Sequence, residues 1–120
     1  YLPGSVCIHS VKIFIKLSPT DMRKSIDGLC ALVVDYFSET PQSQHLFLFY
    51  NQSKNKVKII YWDRNGFVLH YKRLEKGRFR LKPNEKGILE ITANQLQWLL
   101  AGLDFQLMTQ FSELNYSEYY

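Results

Sequence analysis

The dipeptide Asn65-Gly66 stands between two strand-like runs, KVKIIYWD (56–63) and FVLHYKRL (67–74). Asn-Gly is the strongest short hairpin signal a sequence can carry, because both residues accept the positive φ of a type I′ turn. A hairpin here makes the centre of the fold antiparallel sheet and decides which side chains share a face. With Asn65 and Gly66 as a two-residue loop, Arg64 pairs with Phe67, Trp62 with Leu69, Ile60 with Tyr71 and Lys58 with Arg73. One face then carries Lys58, Ile60, Trp62, Arg64, Phe67, Leu69, Tyr71 and Arg73. The other carries Val57, Ile59, Tyr61, Asp63, Val68, His70, Lys72 and Leu74. Asp63, beside the turn, is expected to brace it by accepting local backbone hydrogens.

The flanking segments supply the rest of an α+β domain. VKIFIKL (11–17) alternates as a strand, HLFLFY (45–50) is a buried strand, and GILEIT (87–92) is another. A short further strand is placed at Arg78–Leu81. In SPTDMRKSIDGLCALVVDYF, Ser18 is set as the N-cap and Pro19 as the first helical residue. Met22, Ile26, Leu29, Cys30, Val33, Tyr36 and Phe37 recur at helical spacing and form one apolar face. Gly28 within that helix calls for close packing of another backbone. Thr92 and Gln95 make a capping box for a second helix, and Gly102 stands at its C′ position. The expected architecture is a single domain over residues 1–104. Its sheet is a mainly antiparallel meander of about five strands, with two helices packed on it and covering one face. Residues 105–120 form an acidic, aromatic tail of flexible character.

Charge is distributed unevenly. Residues 54–86 carry eleven Lys and Arg against three acids, whereas residues 87–120 carry four acids and no base. A basic block of this kind suits a polyanionic partner. The candidate phosphate contacts are Arg64, Lys72, Arg73, Lys76, Arg78 and Arg80, with Arg23 and Lys24 as outliers. Trp62 has two readings, a core aromatic or a stacking platform for a nucleobase, and core has the greater weight.

No catalytic or metal site is assigned. A two-metal nuclease needs clustered carboxylates, but Asp21, Asp27 and Asp63 each have a sufficient structural role. His70 has no nucleophile beside it. Cys7, His9 and Cys30 lack the paired spacing of a zinc site, and two cysteines make no disulfide framework. No apolar run approaches a membrane span, and YLPGSVCIHS has neither the basic start nor the apolar core of a secretory leader. The expected setting is cytoplasmic, with no cofactor.

Three stretches, PTDMRKSIDGL (19–29), KIIYWDRNGFVLHYKRLEKGRF (58–79) and the Q-x-x-W-L-L-x-G-L-D pattern (95–104), carry a family resemblance. Over about residues 9–105 the chain resembles the accessory protein encoded by the second reading frame of IS sixty-six-type bacterial insertion sequences. That protein is called TnpB and is unrelated to the RNA-guided nuclease of the same name. The resemblance implies a protein required for DNA transposition alongside a separate transposase that bears the catalytic acids. One point departs from the family. Members often carry an arginine-rich turn before the YWDRNG strand, and here that turn is NQSKNK (51–56), which lowers its weight as a DNA clamp. Two functions follow as expectations. The first is a non-catalytic factor that binds DNA at the element ends. The alternative is a module that assembles with the transposase and other accessory proteins of the element, through Trp98 and the tail, without touching DNA.

Overall fold

The computed structural model describes residues 11–84 and 87–107. Cys7 and His9 and the segment beyond residue 107 lie outside the described residues. The elements are β1 (Ile13–Lys16), α1 (Ile26–Asp35), β2 (Leu46–Tyr50), β3 (Lys56–Asp63), β4 (Gly66–Arg73), β5 (Ile88–Ile91) and α2 (Ala93–Leu100). They build one five-stranded sheet of order β4-β3-β2-β1-β5.

The α+β class and the mainly antiparallel sheet stand, but the chain path differs from a simple meander. Strands β2, β3 and β4 follow one another antiparallel, while β1 pairs with β2 in parallel through α1, and β5 returns antiparallel on the far side of β1. The two helices also lie on opposite faces. Helix α1 packs Leu29, Val33 and the following Phe37 on Phe47, Phe49 and Ile60. The second core gathers Ile13, Ile15, Leu48, Val57, Ile59, Leu99 and Phe105 on the α2 side. This explains why every residue of β2 is buried: Leu46, Leu48 and Tyr50 point to one core, Phe47 and Phe49 to the other. Phe105, the first residue of the expected tail, is part of the α2-side core.

Helix α1 begins later than its apolar pattern suggested. The Lys16 ammonium donates to the Ser18 carbonyl, the Ser18 hydroxyl and the Pro19 carbonyl. The Thr20 amide is held by the Tyr50 carbonyl at 2.7 Å, and Asp21 accepts from the Arg23 amide. With these groups engaged locally, the helix starts at Ile26, with Ser25 as its N-cap. The expected apolar face is nonetheless the buried one. Gly28 faces no foreign backbone. A Cβ there would lie 3.2 Å from the Lys24 Cβ, so the Lys24 side chain lies over the glycine.

The second helix follows expectation. Thr92 and Gln95 form a reciprocal capping box. Gly102 takes φ +81°, its amide bonds to Leu99, and the Leu103 amide bonds to Trp98, closing a Schellman motif.

Candidate nucleic-acid interface

The hairpin has a different loop from the one its Asn-Gly signal indicated. Asp63 pairs with Gly66, so Arg64 and Asn65 form the connection. Arg64 takes the left-handed φ of +57°, and the Asn65 amide bonds to the Asp63 carbonyl. Asp63 therefore braces the turn through its backbone, and Gly66 is an ordinary ladder residue with open space where a Cβ would stand. Each β3 residue meets a partner two places earlier on β4 than expected: Trp62 with Phe67, Ile60 with Leu69, Lys58 with Tyr71 and Lys56 with Arg73. Because side chains alternate with period two, a slip of two leaves both face assignments intact. The observed register sets the Trp62 and Phe67 rings edge to face at 4.9 Å. Such a pair contributes about 0.5–1.5 kcal/mol beyond its burial, which offsets part of the cost of about 1–2 kcal/mol for the left-handed Arg64.

The structure sorts the candidate cations. Arg64 stands alone at the hairpin tip. From Asp63 back to Lys56 the ladder runs seven residue steps, roughly 24 Å at strand rise. The other candidates collect at that opposite end of the sheet. There the 51–55 turn, the C-terminus of β4, the 74–82 loop and the 19–24 loop come together. The Leu74 amide bonds to the Asn55 carbonyl, the Phe79 amide to the Lys54 carbonyl and the Thr20 amide to the Tyr50 carbonyl.

The 76–82 loop has no strand at Arg78–Leu81, but its side chains still alternate. Phe79 and Leu81 are buried in the α2-side core, while Arg78, Arg80 and Lys82 are exposed. The two apolar anchors hold the three cations outward without a pairing strand. Lys76, Arg78 and Arg80 have no hydrogen-bond or ion-pair partner among the described residues. A groove of about 500 Å³ is lined by Lys54, Arg78, Arg80 and Lys82, with Asp104 as its one acid. A second groove, about 590 Å³, lies between the 19–23 loop and the 51–53 turn and contains Arg23 and Lys56.

Several cations have internal duties. Arg23 is bound bidentately by Asp21, whose carboxyl falls to about 2 chiefly through the hydrogen bonds from the Arg23 side chain and amide. Arg23 is thereby committed to Asp21. Arg73 donates to Glu75 at 2.8 Å, and Lys72 donates to the Leu100 carbonyl at 2.7 Å, capping the end of α2. Lys58 donates to the carbonyls of Met22 and Lys24, securing the loop before α1. Lys16 is buried, and burial lowers its pKa.

Lys54, Lys56 and Lys82 belong to this surface and were not among the candidates. The 51–56 turn lacks arginine, yet Asn51 closes it. The Asn51 side chain accepts from the Asn55 and Lys56 amides and so presents Lys54 beside Arg78. The signal available in the sequence was the alternation of buried and basic residues in RFRLK.

Other chemistry is sparse. Tyr61 and His70 approach to 3.3 Å with their rings stacked, in an apolar cleft of about 520 Å³ between α2 and the hairpin. Cys30 is a half-buried free thiol whose pKa is raised by burial. Among the described residues no three His, Cys, Asp or Glu side chains gather to hold a metal ion, and no helix is long and apolar enough to cross a membrane.

A small α+β domain with cations massed at one end of its sheet is thus the setting for the comparisons with known proteins. The family described as IS66 Orf2 like protein matches residues 11–110, and the chain belongs to that family, whose members are accessory to the transposition of insertion sequences. It is also similar to two uncharacterised proteins of Sinorhizobium fredii. It shares 33% identity with y4jC over 97 residues, covering 81% of this chain and 83% of that one. It shares 34% with y4hO over 98 residues, covering 82% and 85%. No solved structure matches the chain.

Proposed function

We propose that this accessory protein acts without catalysis, binding DNA at the element ends through the basic end of its sheet and working there beside the transposase. The observation that supports this most directly is the convergence of Lys54, Lys56, Arg73, Lys76, Arg78, Arg80 and Lys82 from three chain segments, with no hydrogen-bond or ion-pair partner for Lys76, Arg78 and Arg80 among the described residues. Unpaired exposed cations repel one another, and phosphates relieve that repulsion while releasing condensed counterions. Arg64, at the far end of the hairpin, lies outside this contact, and Lys72 is engaged with α2.

The test is a salt titration of binding to element-end duplex, scrambled duplex and single strand. It compares the parent chain with the triple variant Lys76→Ala, Arg78→Ala, Arg80→Ala. Among the described residues these side chains have no hydrogen-bond or ion-pair partner, so the fold should be kept, which circular dichroism of the variant checks. The variant should bind more weakly on every sequence, and its slope of log affinity against log salt should shrink by about two to three. Equal binding by parent and variant at low salt would remove the reading.

A further inference from the structure

One aromatic residue at the basic end stays largely exposed. Along the α1 face of the hairpin the cross-strand pairs run Trp62–Phe67, Ile60–Leu69, Lys58–Tyr71 and Lys56–Arg73. Of the first two pairs, Ile60 is buried in the core under α1, Phe67 and Leu69 are half-buried against it, and half-buried Trp62 packs on Phe67. At the third pair the helix no longer covers the sheet, and Tyr71 is 53% exposed. Its ring lies between the apolar pairs under α1 and the opposed cations Lys56 and Arg73. The Lys58 ammonium sits 5.5 Å from the ring centre and is itself tied to the Met22 and Lys24 carbonyls. Tyr71 therefore stands beside a fixed neighbour and still leaves most of its surface in water. Two residues along the same face, about 7 Å on by strand rise, are the opposed cations Lys56 and Arg73.

From this arrangement, and resting on the DNA-binding reading above, we infer that Tyr71 is a base-stacking platform and that the basic end of the sheet receives single-stranded DNA. Duplex DNA keeps its base faces inside the stack and offers a lateral ring only groove edges and phosphates. A single strand presents base faces that stack on an exposed aromatic while neighbouring cations hold its phosphates. The stacking residue is then Tyr71, and Trp62 is a core-edge aromatic packed on Phe67.

The test measures anisotropy of a labelled oligothymidine strand and of a labelled mixed-sequence duplex of equal length, at one salt concentration. The full chain is compared with its Tyr71→Leu and Tyr71→Trp variants and with the Lys76, Arg78, Arg80 triple variant. The parent should prefer the strand. Tyr71→Leu should lose about 5- to 150-fold in strand affinity, the range of one stacked base, and stay within about twofold of the parent on duplex. Tyr71→Trp should keep strand affinity, and its added indole fluorescence should be quenched by the strand. Equal loss on both DNAs, or loss on neither, overturns the inference. If the triple variant weakens binding while Tyr71→Leu weakens none, DNA binding stands and stacking falls. If the parent binds neither DNA, both readings fall.

Discussion

Lys56 and Arg73 stand directly opposite each other across the β3–β4 ladder, and among the described residues only Arg73 of the two has a carboxylate partner, Glu75 at 2.8 Å. Like charges in cross-strand register destabilise a sheet. The pairing is therefore unfavourable for the isolated fold and becomes favourable when an anion lies over it. Lys56→Thr should raise the urea midpoint by an amount worth a few tenths to about 1 kcal/mol, and weaken DNA binding in the same variant. A lower midpoint would show that the aliphatic stem of Lys56 matters more than its charge.

Arg64 gives the opposite expectation. It holds φ +57° at the hairpin tip, a conformation a glycine adopts freely, and it lies far from the other cations. Arg64→Gly should stabilise the protein by about 0.5 kcal/mol in chemical denaturation and leave DNA affinity within about twofold. A large loss of affinity would return the hairpin tip to the contact surface.

Lys58 acts within the structure. Its ammonium donates at 2.7 and 2.8 Å to the carbonyls of Met22 and Lys24, joining β3 to the loop before α1. Lys58→Met keeps most of the stem and removes both bonds. It should cost about 1–3 kcal/mol and speed amide hydrogen exchange at the start of α1. An unchanged stability with unchanged exchange would contradict this role.

Tyr50 sets an alkaline limit. Its hydroxyl donates to the Leu17 carbonyl at 2.6 Å, and burial, with a smaller contribution from Tyr36, raises its pKa from 10.0 to about 12. Above pH 10 the unfolded chain releases a proton that the folded chain keeps. Stability should therefore fall as pH rises from about 10 to about 12, by at most about 1.4 kcal/mol per unit. Tyr50→Phe should remove that fall. At neutral pH it should cost only about 1 kcal/mol, because the Leu17 carbonyl still accepts the Asn84 amide at 2.9 Å. Thermal melts of both chains between pH 8 and 12 provide the check.

Local patterns in the sequence carried much of this fold. The Thr92–Gln95 box and Gly102 placed α2, since capping needs only neighbouring backbone. The apolar face of α1 was legible although its first turn was not. The helical pattern continues through Met22, whereas the groups that prevent an earlier start are held by Lys16 and by Tyr50. The hairpin faces were correct in a wrong register, because period two does not distinguish a slip of two residues. The observed register brings Trp62 and Phe67 into ring contact, a relationship that the alternation of residue types does not encode.

The sequence by itself determined the α+β class, the two faces of the hairpin, the basic block and the family, because these rest on short periodicities, on composition and on motif identity. The tertiary structure decided which cations share a surface and which are occupied. Lys58 finds Met22 across 36 residues, Lys72 finds Leu100 across 28, and Lys54 lies in the same groove as Arg78 and Arg80. Those partners are chosen by chain crossings between opposite faces of the sheet. A cation's availability depends on which carbonyl or carboxylate the fold brings within about 3 Å of it, and no local pattern encodes that distance.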